Sequence, residues 1–156
     1  AQRKFAEAEA CHREALAIRR KAFPPGHPEI AQSLNNLAFL LRSQQKHAEA
    51  EPLFREALTI FRQVYGKDNW QVGQVAIGLG NTLVALGRYA DAEPILLDAE
   101  RIFSTAQGVP PSRRLSSVDA LASLYVEWSK AEPGKGYEKK AEQWKQRQPA
   151  TTNGSR

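Results

Sequence analysis

Residues 47–64 read HAEAEPLFREALTIFRQV, and similar segments stand 42 residues before and 42 residues after this one. The earlier segment, residues 5–22, reads FAEAEACHREALAIRRKA and agrees at ten of eighteen positions. The later segment, residues 89–106, reads YADAEPILLDAERIFSTA and agrees at seven. Because repetition at one fixed spacing is the signature of stacked-repeat architectures, we predict an array of similar units.

A second set of apolar segments lies between these copies and repeats at the same spacing. These are LNNLAFLLR (34–42), AIGLGNTLV (76–84) and VDALASLYV (118–126). Their apolar residues recur at the i, i+3, i+4, i+7 spacing of a helix with one buried face. Because the polar connections at 44–46 and 87–88 are short, each unit is predicted to be a pair of antiparallel helices.

Small residues recur where the two helices of a unit should cross. Ala38, Gly80 and Ala122 hold one position of the first helix, and Ala50 and its equivalents hold one position of the second. A small side chain allows two helix backbones to approach closely, so we expect larger residues here to overpack the crossing.

The connections between units carry helix-breaking residues and candidate helix caps. Pro28 fits the first turn of a helix, where its missing N–H would be unpaired in any case. Asp68 or Asn69 and Ser112 have side chains that commonly cap a helix N-terminus, so we expect helices to begin after them.

The pattern Leu-x-x-Leu-Ala/Gly-x-x-Leu, followed by Tyr-Ala-x-Ala-Glu-Pro and an Ala-Leu-x-Ile helix, resembles the tetratricopeptide repeat over residues 5–107. The 42-residue length and the strings GHPEIA (26–31) and SLNNLA (33–38) are most similar to the repeats of kinesin light chains. The resemblance implies an all-α fold, a right-handed α-solenoid of about three antiparallel helix pairs. The same scaffold serves very many proteins, so the resemblance implies no particular partner.

We divide the chain into an array over 1–148 and a disordered tail over 149–156. Within the array, 4–22 is the second helix of a preceding repeat, 28–65 and 70–107 are repeats, and 112–148 is a divergent repeat with a polar C-terminal cap. The first helix of the preceding repeat is absent, as in a chain cut from a longer array. We therefore expect its apolar face to be partly uncovered and to favour self-association; that face comprises Phe5, Ala8, Cys11, Ala15 and Ile18.

Charge and composition exclude several classes of function. The net charge is +5, but the basic excess lies in residues 1–22 and 130–156, whereas residues 23–129 carry 9 basic and 11 acidic side chains. This makes nucleic acid an unlikely partner. No apolar run reaches the length of about 20 residues that a membrane span needs. With Cys11 as the single cysteine, the chain suits a reducing compartment, and we expect a cytoplasmic location.

The sequence predicts no catalytic site, no cofactor and no metal. Cys11 and His12 occupy the places of Leu53 and Phe54 in the repeat, so we interpret both as packing residues that face the interior. The three histidines lack the spacing of metal ligands, and no phosphate loop or nucleophile motif is present. The recurring carboxylates are interpreted as a solvated helix face; they are Glu49, Glu51, Asp91 and Glu93.

The resemblance implies that the first helices line a concave groove. The groove residues predicted on this basis are Gln32, Asn35, Asn36, Phe39, Arg42, Gln74, Ile77, Asn81, Val84, Ser116, Asp119 and Ser123. Asparagine amides can both donate to and accept from a peptide backbone, whereas Phe39 and Ile77 offer apolar surface. In the other interpretation, Asn35 and Asn36 hydrogen-bond to neighbouring helices and bind no ligand.

Two functions remain open at this stage. The first is an adaptor that binds a peptide or protein segment in the groove. The second is a structural spacer or self-association module of a larger signalling protein, which would act through the face over residues 4–22.

Overall fold

The structure is a computed structural model that describes residues 2–147. All regular secondary structure in these residues is helical, which confirms the all-α prediction. The helices are α1 (Gln2–Ala22), α2 (Pro28–Ser43), α3 (His47–Tyr65), α4 (Trp70–Ala85), α5 (Tyr89–Thr105), α6 (Pro111–Ala131) and α7 (Tyr137–Gln146). The predicted disordered tail, 149–156, lies outside the described residues.

One kind of turn connects the two helices within a pair, and another connects successive pairs. The turns from α2 to α3 and from α4 to α5 place Gln45 and Gly87 at the same point, with φ of 65° and 72°. This left-handed conformation reverses the chain in a few residues and favours glycine. Between pairs, the imidazole of His27 and the amide of Asn69 accept hydrogen bonds from the second residue of the following helix, at 3.2 and 2.8 Å.

One of the predicted caps is wrong. α6 begins at Pro111 with Pro110 in the capping position, and Ser112 already lies inside the helix. Proline is favoured at the first helical position because it has no N–H to leave unpaired. Pro28 begins α2 in the same way, as the sequence predicted.

The helices stack in chain order, so the first helices of successive pairs lie side by side. Each helix packs on the next, and in addition α4 contacts both α2 and α6. One continuous core runs through the stack; its fully buried large side chains include Leu34, Leu37, Leu41, Phe54, Leu79, Leu83, Leu96, Phe103, Leu121 and Leu124. α2, α4 and α6 consequently form one continuous wall.

Glycine at the crossing allows the close approach that the sequence predicted. A Cβ added to Gly80 would lie 2.5 Å from Cγ of Leu96, and one added to Gly78 would lie 2.6 Å from the ring of Phe54. Both distances are shorter than any normal carbon contact. Ala50 and Ala92, at the corresponding place in the second helices, are fully buried.

The prediction that Cys11 faces the interior is wrong, because its side chain is exposed. Cys11 lies on the side of α1 that corresponds to the side of α3 packed on α2, and no helix of the described residues covers it. Ile18 on the same face is 58% exposed. The expectation of an uncovered face on α1 is therefore confirmed. His12, the other residue predicted to face the interior, is half-buried.

Candidate functional site

A concavity of about 530 Å³ opens on the wall formed by α2, α4 and α6. Its lining combines apolar, amide and charged side chains: Phe39, Arg42, Gln74, Ile77, Asn81, Phe103, Arg113, Ser116, Asp119, Ala120 and Ser123. This volume is within the range of sites that hold several ligand side chains. The periodic sequence builds it, because each first helix presents the same face to the same side of the stack.

Arg42 stands at the α2 end of this concavity and is half-buried. Its guanidinium lies over the ring of Phe39, 5.1 Å from the centroid, and that ring meets Phe54 edge-on. Burial lowers the pKa of Arg42. No carboxylate among residues 2–147 forms a salt bridge with it, so the charge is partly desolvated without an ionic partner.

Arg113 lies across the concavity, at the start of α6. Its guanidinium stacks over the indole of Trp70, 4.7 Å from the centroid, and donates a hydrogen bond to Oε1 of Gln74. Trp70 is half-buried and packs against the core at the junction of the first and second pairs. Gln74 is thereby held by Arg113, and Arg42 and Asp119 belong to the same lining.

The structure brings eight of the twelve sequence-predicted groove residues into this concavity. They are Phe39, Arg42, Gln74, Ile77, Asn81, Ser116, Asp119 and Ser123. Val84 is half-buried against the core and does not line it. The other three lie on α2, nearer its start.

The structure separates the two asparagines that the sequence placed together in the groove. Asn35 is only 6% exposed, and its Oδ1 has no hydrogen-bond partner among the described residues. With Gln32 it lines a separate recess of about 70 Å³ beside Trp70. Asn36 is half-buried and accepts a hydrogen bond of 2.9 Å from Gln32. Neighbouring residues point about 100° apart on a helix, so the two amides cannot share one environment.

Sequence reasoning missed Arg113 and Phe103. Arg113 lies on the α6 stripe that continues to Ser116 and Ser123, and this i, i+3, i+10 spacing could have identified it. Phe103 belongs to a second helix and is buried, 3.0 Å from where a Cβ of Gly73 would lie. No pattern in the first helices could have indicated its contribution.

The recurring carboxylates are engaged in ion pairs rather than simply solvated. Glu51 accepts from Arg88 at 2.7 Å, and Glu93 accepts from Lys140 at 3.0 Å. The side chains of Glu51 and Glu93 are only 16% and 25% exposed, because each is covered by the following helix pair. The interpretation of these two as a solvated face is therefore wrong.

The last turn of α1 carries three basic residues, Arg19, Arg20 and Lys21, and two of them form ion pairs within the array. Arg20 forms two hydrogen bonds to Glu56, at 2.9 and 2.7 Å, and Arg19 pairs with Glu29 at 3.3 Å. These contacts connect α1 to the next pair of helices. Arg19 and Arg20 therefore already have acidic partners within the chain.

Residues 2–147 contain no cluster of three or more His, Cys, Asp or Glu side chains placed to hold a metal ion. Across the same residues, every helix is too short or too polar to cross a bilayer.

Comparison with known proteins gives one family and a consistent fold. The tetratricopeptide repeat family model matches residues 1–62 and 29–105, and no curated protein sequence matches the chain. The chain is similar to the crystal structure of BtubC (BKLC) from P. vanneervenii, with a TM-score of 0.75 and 21% identity, over 98% of this chain and 59% of that one. It therefore spans little more than half the length of that protein.

A second similar structure is a Podosopora anserina protein described as a kinesin light chain with nearly identical TPR-like repeats. Its TM-score is 0.69 with 19% identity, covering 92% of this chain and 68% of that one. Identities this low bear on the fold alone, and they confirm the predicted repeat superhelix with kinesin-light-chain-like units.

Proposed function

This chain belongs to the tetratricopeptide repeat family, and we propose that it binds an extended segment of another protein in the concavity between α2, α4 and α6. Repeats of this family generally mediate protein–protein interaction, and stacked helix pairs create concave surfaces suited to it. The family is typically non-catalytic, so we assign the chain no reaction.

The observation that carries this proposal is the composition of the concavity around Arg42. The Arg42 guanidinium is half-buried and has no salt bridge within residues 2–147, which costs desolvation free energy in the free protein. A polar or acidic ligand group would offset that cost. Ile77 and Phe39 provide adjacent apolar surface, and the amides of Gln74 and Asn81 can pair with a peptide backbone. Such a mixture fits an extended segment better than a rigid apolar ligand.

The size of the concavity limits the expected affinity. It accommodates a few ligand side chains, and an extended segment loses conformational freedom when it binds. We therefore expect dissociation constants of roughly micromolar order.

The test compares two triple variants in the same binding selection. Peptides displayed on phage would be selected on the intact chain and then measured against a groove variant, Arg42→Ala/Ile77→Ala/Asn81→Ala. The matched control removes three exposed side chains from the second helices, Arg55→Ala/Thr59→Ala/Arg101→Ala. We expect selected peptides to lose about tenfold or more affinity for the groove variant and to bind the control as they bind the intact chain.

Equal binding to both variants would contradict the proposal, provided that circular dichroism shows both to be helical. A selection that returns no peptide above background would contradict it as well.

A second candidate function is a structural module that is joined to other proteins through α1. Ile18 and Phe5 on that helix are 58% and 40% exposed and belong to the face that the sequence predicted to be uncovered. In this case Ile18→Asp would abolish the association, and the groove variant would leave it unchanged.

A further inference from the structure

The recess beside Trp70, at the junction of the first and second helix pairs, repeats the arrangement of the concavity. Five of the residues that line it have equivalents 42 positions later that line the concavity. The five are Gln32, Asn35, Phe61, Gln71 and Gln74, and their equivalents are Gln74, Ile77, Phe103, Arg113 and Ser116. The recess is therefore the copy of the groove floor at the first junction, and Gln74 belongs to both.

Two sequence differences make this copy small and polar. Asn35 stands where Ile77 stands at the next junction, and Trp70 stands where Ser112 stands. The indole of Trp70 forms one wall of the recess, whose volume is about 70 Å³. At roughly 30 Å³ for each water in the liquid, this space suits about two waters or one small side-chain group.

The amide of Asn35 supplies a hydrogen-bonding group that the fold does not use. The residue is 6% exposed, and its Oδ1 has no partner within residues 2–147. A buried acceptor without a partner costs free energy, which a donor that enters the recess would recover. Because the χ2 torsion of asparagine is broad, the amide can turn its oxygen toward the recess without a movement of the backbone.

Gln74 supplies the complementary group. Its Oε1 accepts a hydrogen bond from Arg113, and a guanidinium can only donate, so this bond fixes the orientation of the amide. Nε2 is left as the donor that Gln74 can offer to a ligand. A primary carboxamide accepts through its oxygen and donates through its nitrogen, so one such group can pair with both Gln74 and Asn35.

The recess disfavours a charged occupant. Every side chain among residues 2–147 that lines it is neutral, and Phe61 and Val75 contribute apolar surface. Arg113 lines the concavity instead, where its guanidinium stacks over Trp70. A carboxylate or an ammonium group in the recess would lose its water without gaining an ionic partner, whereas a carboxamide carries no charge to desolvate.

We propose that this recess is a subsite of the groove that takes an asparagine side chain of the bound segment, with its carboxamide paired to Asn35 and Gln74. The volume leaves room for little beyond the carboxamide, which favours asparagine over the longer glutamine. This inference rests on the proposed function and adds the ligand residue that the first junction selects.

Peptides displayed on phage and selected on the intact chain provide the probe. We expect asparagine to be enriched at one position of the selected peptides. Replacing that asparagine by aspartate or alanine should lower the affinity about tenfold, because the buried amide of Asn35 then loses its partner. Selection on Asn35→Ala should lose the enrichment, whereas selection on Gln63→Ala, which removes an exposed amide from α3, should keep it.

A double-mutant cycle distinguishes direct contact from a change in the shape of the groove. Fluorescence anisotropy would measure the asparagine peptide and its alanine variant on the intact chain and on Asn35→Ala, with circular dichroism as the check on folding. Direct contact predicts a loss of about tenfold on the intact chain and of less than about twofold on Asn35→Ala.

A second variant keeps the test independent of any effect of Asn35→Ala on folding. Gln74→Glu has the same shape and still accepts from Arg113, but it replaces the Nε2 donor with an acceptor. It should therefore also abolish the preference for the asparagine peptide over its alanine variant.

An asparagine preference that persists on both Asn35→Ala and Gln74→Glu would overturn the proposal. Selected peptides that are lost on the groove variant Arg42→Ala/Ile77→Ala/Asn81→Ala but show no asparagine enrichment would overturn it as well. In that case peptide binding in the groove stands, and water is the occupant of the recess. A selection that returns no peptide would contradict both proposals, so the two failures are distinguishable.

Discussion

The hydroxyl of Tyr125 on α6 donates a hydrogen bond of 2.6 Å to Oε1 of Glu93 on α5. Lys140 of α7 reaches the same oxygen at 3.0 Å and lies over the Tyr125 ring. Burial, followed by the bond to Glu93, raises the pKa of Tyr125 above its usual range. One carboxylate thus connects the last three helices of the described chain.

The first prediction is that this connection is lost in acid. Burial favours the neutral form of Glu93, but the hydrogen bonds from Tyr125 and Lys140 outweigh it, so its pKa lies below the ordinary 4.5. A lowered folded pKa gives stability that is complete above the unfolded pKa and is lost as the pH falls through the folded one. Glu93→Gln should therefore cost about 1–2 kcal/mol at pH 7 and less at pH 3, which lies below the unfolded pKa.

Urea unfolding at both pH values, followed by tryptophan fluorescence, measures this difference. The matched control is Asp91→Asn, since Asp91 is more exposed and its one salt bridge within the described residues is to the nearby Arg88. An equal cost of Glu93→Gln at the two pH values would show that charge is not what Glu93 contributes.

A second prediction concerns the capping residues of α2 and α4. His27 and Asn69 are equivalent in the repeat and make the same hydrogen bond to the second residue of the helix. His27→Ala should cost about 0.5–2 kcal/mol of unfolding free energy, whereas His27→Asn should cost a few tenths at most. If thermal and urea unfolding rank the two variants equally, the contribution of His27 is its stacking on Phe23, 4.1 Å away, and not its cap.

A third prediction compares two glycines of α4. A Cβ on Gly80 would lie 2.5 Å from Leu96 Cγ, whereas one on Gly73 would lie no closer than 3.0 Å to any atom. Gly80→Ala should therefore destabilise the protein by about 1–3 kcal/mol through overpacking. Gly73→Ala should stay within about 1 kcal/mol of the parent, because its milder contact is offset by better helix propensity. Equal unfolding midpoints in urea would contradict this ranking.

The fold could be predicted from the sequence because the copies of the repeated segment can be compared with one another. A segment that recurs at 42 residues with one apolar stripe has a single consistent interpretation, and the short turns containing Gln45 and Gly87 fix the direction of each pair. The uncovered face of α1 followed from the same comparison. These features depend on spacing, which a sequence displays directly.

The site was predicted less completely, because its details depend on how far each helix is rotated about its own axis and not on the spacing of residues along the sequence. Asn35 lies at the edge of the inward stripe, and a small rotation of α2 decides whether its amide meets solvent or core. Arg113 enters the concavity because it stacks on Trp70 of the preceding pair, a contact between residues 43 positions apart. The pairing of Glu51 with Arg88 is equally non-local, so a solvated helix face was the simpler but wrong interpretation.

The last prediction separates a binding role for Arg42 from a structural one. Its guanidinium is half-buried over Phe39 and has no salt bridge within the described residues, so the fold gains little from its charge. Arg42→Leu keeps apolar contact with Phe39 and removes a desolvated cation. We expect its unfolding free energy to equal that of the parent within about 0.5 kcal/mol or to exceed it, with peptide affinity reduced about tenfold.

The control is Arg62→Ala, which breaks a salt bridge to Asp98; it should cost up to about 1 kcal/mol and leave peptide affinity unchanged. Urea unfolding and fluorescence anisotropy with a selected peptide measure both quantities. A loss of stability in Arg42→Leu larger than that in Arg62→Ala would mean that the array needs this cation for its own packing.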